Sequence, residues 1–336
     1  MSARLGSVPT RRAGSRRFSP ATRRNLRNGL LFISPWIIGL LLFTAYPIIM
    51  TFYYSFTDYD GVRFPPHWLG LENYVTLFTN DPQFWPAVAN TLWWAALSVP
   101  LGIAFGVALA LLLNLRVRGI GIYRTLIYMP TMVPAVGSSL LFLWLFNPGG
   151  GPIDGILGAL GLGQPGWFTD PDWSKPGLLL LSLWGLGGGM IIYLAGLKDI
   201  PVELYEAASI DGAGKLRGLI HITLPLLTPT IFFNLVLGTI GAFSFFSQAL
   251  VVSTAPTGLG GGGGDVANGS FGLTATPGGP LNSTLFYSVY LYFQIFGNFQ
   301  FGYASAMSWL LTIVVVALSA AIFASARKWV YYGGLR

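Results

Sequence analysis

The chain has 336 residues, of which 53% are hydrophobic and only 9% charged, and its mean hydropathy is +0.61. Soluble chains carry about 25% charged residues, so this composition cannot cover a water-facing surface and fits lipid instead. The absence of cysteine excludes disulfide, thiol and Cys–metal chemistry, and neither His67 nor His221 has a second histidine at ligand spacing.

The formal charge of +7 is unevenly placed, with eight of the nineteen Lys and Arg in residues 1–27 and no acid among them. A basic tail over 1–28 fits an anionic membrane surface on the cytoplasmic side. Nucleic acid is not an expected partner, since no basic stripe interleaved with aromatics follows. An organellar transit peptide also starts Arg-rich, but Pro9, Gly14 and Pro20 interrupt the amphipathic helix it needs.

Beyond the tail, residues 29–336 read as an all-α, polytopic membrane domain. Six stretches free of Asp, Glu, Lys and Arg are long enough to cross about 30 Å of hydrocarbon. They lie near Leu30–Phe52, Ala87–Leu113, Thr125–Phe146, Gly177–Leu197, Thr230–Val252 and Ala304–Ala326. The first is too long for a signal-peptide core and is expected to stay in the mature protein. With both termini cytoplasmic, seventeen of the nineteen Lys and Arg fall inside, leaving only Arg63 and Lys175 outside. Multi-pass insertion in the cell membrane follows, with lipid as the surrounding partner.

Pro100, Pro130 and Pro134 fall within spans two and three, as hinges or as static kinks. Gly102-x3-Gly106 marks a possible close helix contact. In the outer loop at 253–302, GLGGGGG at 258–264 reads as a flexible linker. Leu285–Phe301 then reads as an interfacial helix with Tyr287, Tyr290 and Tyr292 at headgroup depth rather than a seventh crossing. No cofactor is expected: Gly214-Lys215 has Ser209 and Leu216 where a P-loop needs glycine and Ser or Thr.

The longest inner loop, 198–224, reads KDIPVELYEAASIDGAGKLRGLIHITL. Pro201 suits a first helical turn, Glu203 and Glu206 a positive helix N-terminus, and Gly212 or Gly214 a left-handed end. A short helix outside the membrane results, with Leu204, Ala208 and Gly212 along one nearly bare side. By composition alone it is either a solvated connector or a surface for another protein.

Glu206-Ala207-Ala208, three residues, Gly212, nine residues, Ile222, one residue, then Leu224-Pro225 is similar to the signature loop of permease subunits of binding-protein-dependent ABC importers. Further segments resemble the carbohydrate branch, of the maltose and glycerol-phosphate first-permease type. They are FTAYP at 43–47, SFTDY at 55–59, GLENY at 70–74, Asn90-Thr91, PLG at 100–102 and Arg124 ahead of Met129-Pro130. Gly278-Gly279-Pro280 with Ser283-Thr284 and GYASA at 302–306 complete the order. The glycine-rich insertion between Thr254 and Gly278 departs from that pattern.

The resemblance implies a MetI-like fold whose inner loop is a coupling helix gripped by a cytoplasmic ATPase. It assigns Glu206 a polar contact, Ala207 and Ala208 close packing and Gly212 the turn, with Leu224-Pro225 closing the motif. It also implies a second permease chain, two cytoplasmic ATP-binding subunits, an extracytoplasmic solute-binding protein and a sugar as substrate, and no catalysis by this chain.

The spans carry no central charge, which disfavours a proton-coupled relay and suits a neutral cargo. In span five, Asn234, Gly238, Gly241, Phe245 and Gln248 share one helical stripe, which reads equally as a sugar surface or as helix packing. In span four, Gly185, Gly189 and Gly196 form a smooth face with Tyr193 at its edge. An ion-gradient carrier and an intramembrane glycosyltransferase are the alternatives, the latter resting on the outer acids Asp58, Asp60, Glu72 and Asp81.

Overall fold

The structure is a computed structural model that describes residues 20–115, 117–148, 150–254 and 278–331. The basic tail up to position 19 and residues 255–277 of the glycine-rich loop lie outside the described residues. The chain divides into two units between Tyr53 and Tyr54.

The first unit contains α1 (Pro20–Leu40), a π-helical turn over Leu41–Ala45 and all but the last residue of α2 (Tyr46–Tyr54). Arg24–Tyr54 is long and apolar enough to cross a membrane, and none of its most apolar window is buried. The π turn ends two residues before Pro47. Proline has no N–H for the carbonyl four residues back and clashes with it; one extra residue in the preceding turn moves that carbonyl aside.

The second unit runs through α3 (Glu72–Thr79), α4 (Phe84–Leu113), α5 (Ile120–Tyr128), α6 (Ala135–Leu145), α7 (Pro152–Ala159), α8 (Pro171–Trp184), α9 (Gly187–Lys198) and α10 (Val202–Ile210). It continues through α11 (Lys215–Gly218), α12 (Leu224–Phe243), α13 (Ser247–Thr254), α14 (Tyr287–Phe296) and α15 (Phe301–Trp329). Lys215–Thr254 repeats the proline device, with a π turn over Leu219–Thr223 ending two residues before Pro225. Over the described residues four helices can span a bilayer, or six with each bent pair taken as one span.

Two expected spans are therefore bent rather than straight. Span three turns by 99° between Met132 and Ala135. Val133, held extended (ψ 127°) ahead of Pro134, breaks the helix there. Span four bends by 49° between α8 and α9, where a Cβ on Gly187 would collide with the Ile127 carbonyl. The backbone of α9 thus lies directly against the end of α5.

Lipid tails are as apolar as leucine, so apolar burial gives helices in a bilayer little reason to associate, and close packing over small residues takes its place. A Cβ on Gly106 would stand 2.8 Å from the Tyr193 ring, and one on Gly196 2.5 Å from Thr230 Oγ1. Gly106 of α4 and Gly196 of α9 are therefore points of close helix contact. Arg124 donates from Nη2 to the Leu113 carbonyl at 2.8 Å, closing the C-terminal end of α4 with a cation.

α14 packs against protein instead of presenting Tyr287 and Tyr290 to headgroups. Tyr287 and Tyr290 are each 4% exposed, and they pack with Leu77, Phe84 and Met307. Tyr287 donates to the Met307 carbonyl at 2.8 Å and Tyr290 to Asp81 Oδ2 at 2.7 Å, so both hydroxyls are satisfied inside the protein. At ten residues α14 is also too short for a crossing.

Candidate functional site

The motif segments that are scattered in sequence meet in pairs. Asn90 donates from Nδ2 to the carbonyls of Asn282 and Leu285 at 2.8 and 2.9 Å, and Thr91 Oγ1 accepts from the Tyr287 amide. Asn73 likewise donates to the carbonyls of Ser55 and Thr57, and Tyr74 to Ser55 Oγ. The Gly302 amide reaches the Tyr59 carbonyl at 2.8 Å, in a fit so close that a Cβ there would strike the Thr57 carbonyl. These residues clamp irregular backbone at one end of the bundle, where unpaired peptide groups are costly. On the exposed loop beside them, the His67 side chain and amide hold the Asp58 carboxyl below its usual range. The amides of Arg63 and Val62 do the same for Asp60.

Between α4, α8, α9 and α12 lies a cavity of about 500 Å³, within the usual range of ligand sites. All five residues of the span-five stripe line it, as do Gly185, Gly189 and Tyr193. The stripe does not stay helical to its end, because α12 stops at Phe243 and α13 begins at Ser247. The intervening turn still brings Phe245 and Gln248 to the same wall. Gly196 instead packs on Thr230 and Leu227.

Asn234 donates from Nδ2 to the Thr230 carbonyl at 2.9 Å. Its Oδ1 lies 3.8 Å from where Gly189 would carry a Cβ, as an acceptor on the cavity wall. Phe245 stacks on Trp94 at 4.2 Å, and Phe286 meets both rings edge-on. Tyr193 is 2% exposed, and its hydroxyl holds no hydrogen bond among the described residues. Ser98, Ser182 and Trp94 also line the cavity and were missed in the sequence. The two serines sit near Gly102 and Gly185, whose small size was the available signal. No charged side chain lines the cavity among the described residues.

At the opposite end, α10 stands in the loop between spans four and five. Pro201 sits just before its first turn as the cap (ψ 133°), and the helix ends where Gly212 turns left-handed at φ +76°. Gly214 instead precedes α11 in an extended conformation. The Asp211 amide bonds the Ala207 carbonyl and the Ala213 amide the Ala208 carbonyl at 2.8 Å, which satisfies the open helix end.

The signature residues divide into two sets. Glu206, Ala207 and Gly212 are exposed and Ala208 is half-buried. Val202, Leu204, Ile210 and Leu216 add an exposed apolar surface beside them. Ile222 and Leu224, with Tyr205, pack onto the core of Val107, Leu197 and Leu227. Half-buried Pro225 opens α12, and the Tyr205 hydroxyl lies 2.8 Å from Thr223 Oγ1. One set faces outward and the other ties the loop to the membrane helices.

Residues 98–329 match the family model described as the binding-protein-dependent transport system inner membrane component. The chain is 38% identical over 316 residues to the probable ABC transporter permease protein YesP of Bacillus subtilis (strain 168), covering 94% of this chain and 95% of that one. It is 34% identical to the lactose transport system permease protein LacF of Rhizobium radiobacter, covering 90% and 94%. Among solved structures, a bacterial alginate ABC transporter in complex with an alginate pentasaccharide-bound periplasmic protein superposes with a TM-score of 0.75. That match is 25% identical and covers 91% of this chain and 96% of the other. These matches leave no support for an enzyme or a gradient-driven carrier. The chain belongs to the family of inner membrane components of binding-protein-dependent transport systems, as an ABC importer permease.

Proposed function

We propose that this permease passes an uncharged saccharide inward and that α10 is the handle through which ATP-driven closure moves it. The observation that carries the cargo reading is the cavity wall, where amides, hydroxyls, aromatic rings and bare glycine backbone occur without a charged group among the described residues. Hydroxyl-rich neutral ligands are recognised by such partners, whereas an anionic sugar needs a cation. The lactose permease relative supports the class. Asn234, Gln248, Phe245 and Tyr193 are the proposed contacts.

Glu206, Ala207, Ala208 and Gly212 are proposed to seat in one of two cytoplasmic ATP-binding subunits, with Leu224 and Pro225 transmitting its motion into α12. A second permease chain completes the passage, and a solute-binding protein delivers cargo from outside. The positive-inside distribution supports placing both termini and α10 in the cytoplasm.

The test is reconstitution of the chain with the subunits that co-purify with it. Glu206→Cys is expected to crosslink to an ATPase subunit and to be labelled only from the cytoplasmic face. Uptake is expected for lactose or maltose but not for an oligomer of uronic acids. Labelling from the outer face alone, or transport of the acidic oligomer alone, would overturn the reading.

A further inference from the structure

The second unit holds another opening, about 640 Å³ in volume, at the end of the bundle away from α10. It lies between the 55–82 segment and the junction of α14 with α15. On the charge reading this end is extracytoplasmic. Three aspartates line it, yet each carboxylate is already engaged. Asp58 takes the amide and ring of His67, and Asp60 the amides of Val62 and Arg63. Asp81 accepts from the amides of Gln83 and Phe84 and from the hydroxyls of Tyr290 and Tyr303. None is left waiting for a cation, and no group of acids or histidines among the described residues is arranged to hold a metal.

The unused hydrogen-bonding capacity is neutral. Asn73 is 8% exposed and spends both amide hydrogens on the Ser55 and Thr57 carbonyls. The residue lines the opening, and its Oδ1 accepts nothing among the described residues. That oxygen is open to water, which a ligand hydroxyl would displace. Exposed Asn80 and Gln300 also line the opening, and their side chains make no hydrogen bond among the described residues. Phe299, 60% exposed and held at φ +55°, adds an aromatic face at the rim.

We infer that this opening is a second saccharide site, separate from the membrane cavity, which binds an uncharged sugar ring through Asn73 Oδ1, Asn80 and Gln300 with Phe299 against its face. The inference rests on the reading of the cargo as a saccharide. A sugar leaving the solute-binding protein would be held here before it enters the membrane cavity.

Saturation-transfer NMR on the full chain in lipid nanodiscs, with its co-purifying subunits, tests this using lactose and maltose as probes. The membrane cavity is first blocked by Gly241→Leu. Sugar signals are expected to persist in that variant and to fall about tenfold in apparent affinity when Asn80→Ala and Gln300→Ala remove two neutral hydrogen-bonding groups. Both side chains are exposed and hold no other group, so thermal stability should not change. Signals insensitive to Asn80→Ala and Gln300→Ala would overturn the outer site and leave the saccharide cargo standing. So would signals seen in the unmodified chain but lost with Gly241→Leu. Absence of sugar signals from both proteins would overturn both readings. Signals from methylguanidinium in place of the sugars would assign the opening to a basic side chain of a partner and overturn the inference.

Discussion

A methyl group on Gly106 would stand 2.8 Å from Cε2 of Tyr193, so the absence of one side chain on α4 fixes the position of a ring on α9. That ring is a wall of the membrane cavity. Gly106→Ala is expected to push the Tyr193 ring toward the cavity and to destabilise the helix pair by about 1–3 kcal/mol, as overpacking does. Uptake and thermal unfolding in detergent should both fall. Combining it with Tyr193→Phe should not relieve the loss, because the clash is with ring carbons.

Gly241 gives the converse case. Nothing stands within 4 Å of a Cβ placed there, and the residue lines the same cavity. Gly241→Leu should therefore fit without strain, and replacing an interior helical glycine should stabilise α12 by about 0.5–1 kcal/mol. Uptake should nevertheless be lost, because the leucine side chain fills the passage. An unfolding temperature that holds or rises while transport disappears is the expected pair of results. Normal transport would remove this cavity from the route.

Much of this architecture was legible because lipid imposes uniform rules. Charge-free lengths marked the four membrane-length helices and both bent pairs among the described residues, and the spacing from Glu206 to Pro225 marked the loop between α9 and α12. Asn234, Gly238 and Gly241 were readable because their part of span five is a regular helix. The bends were not readable as such, since Pro134 acts through the conformation of Val133, and Gly187 through a carbonyl on α5. Tyr287 and Tyr290 misled for a similar reason. A tyrosine-rich helix looks interfacial until its hydroxyls find Met307 and Asp81, and neither partner lies within its own segment.

Asn90 offers a stability test at a residue that does not itself line the cavity and stands away from the inner loop. Its amide donates to two carbonyls nearly two hundred positions later, and the residue is 7% exposed. Asn90→Ala strips the Leu285 carbonyl of its donor and leaves the Asn282 carbonyl only the Leu285 amide, and should cost about 1–3 kcal/mol. Asn90→Asp should cost more, since it places a carboxylate oxygen against two carbonyl oxygens. Thermal unfolding of the purified chain should rank the wild type above the alanine variant and that above the aspartate variant. Equal values for all three would show that the 278–286 segment is held by other contacts.

Gly212 separates the shape of α10 from its packing. It turns left-handed at φ +76°, and nothing lies within 4 Å of a Cβ added there, so any effect of a substitution must come from the backbone or from a partner. A β-branched residue resists that conformation by about 1–2 kcal/mol, whereas asparagine adopts it readily. Gly212→Val should unwind the turn into α11 and move the exposed face of Glu206 and Ala207. ATP hydrolysis by the co-purified subunits would then continue without uptake, while membrane insertion stays normal. Gly212→Asn should keep hydrolysis and uptake coupled, because it preserves the turn. If both variants transport normally, the turn plays no part in coupling. If both uncouple equally, the space beyond Gly212 is occupied by the ATPase, and the glycine is required for its small size rather than its conformation.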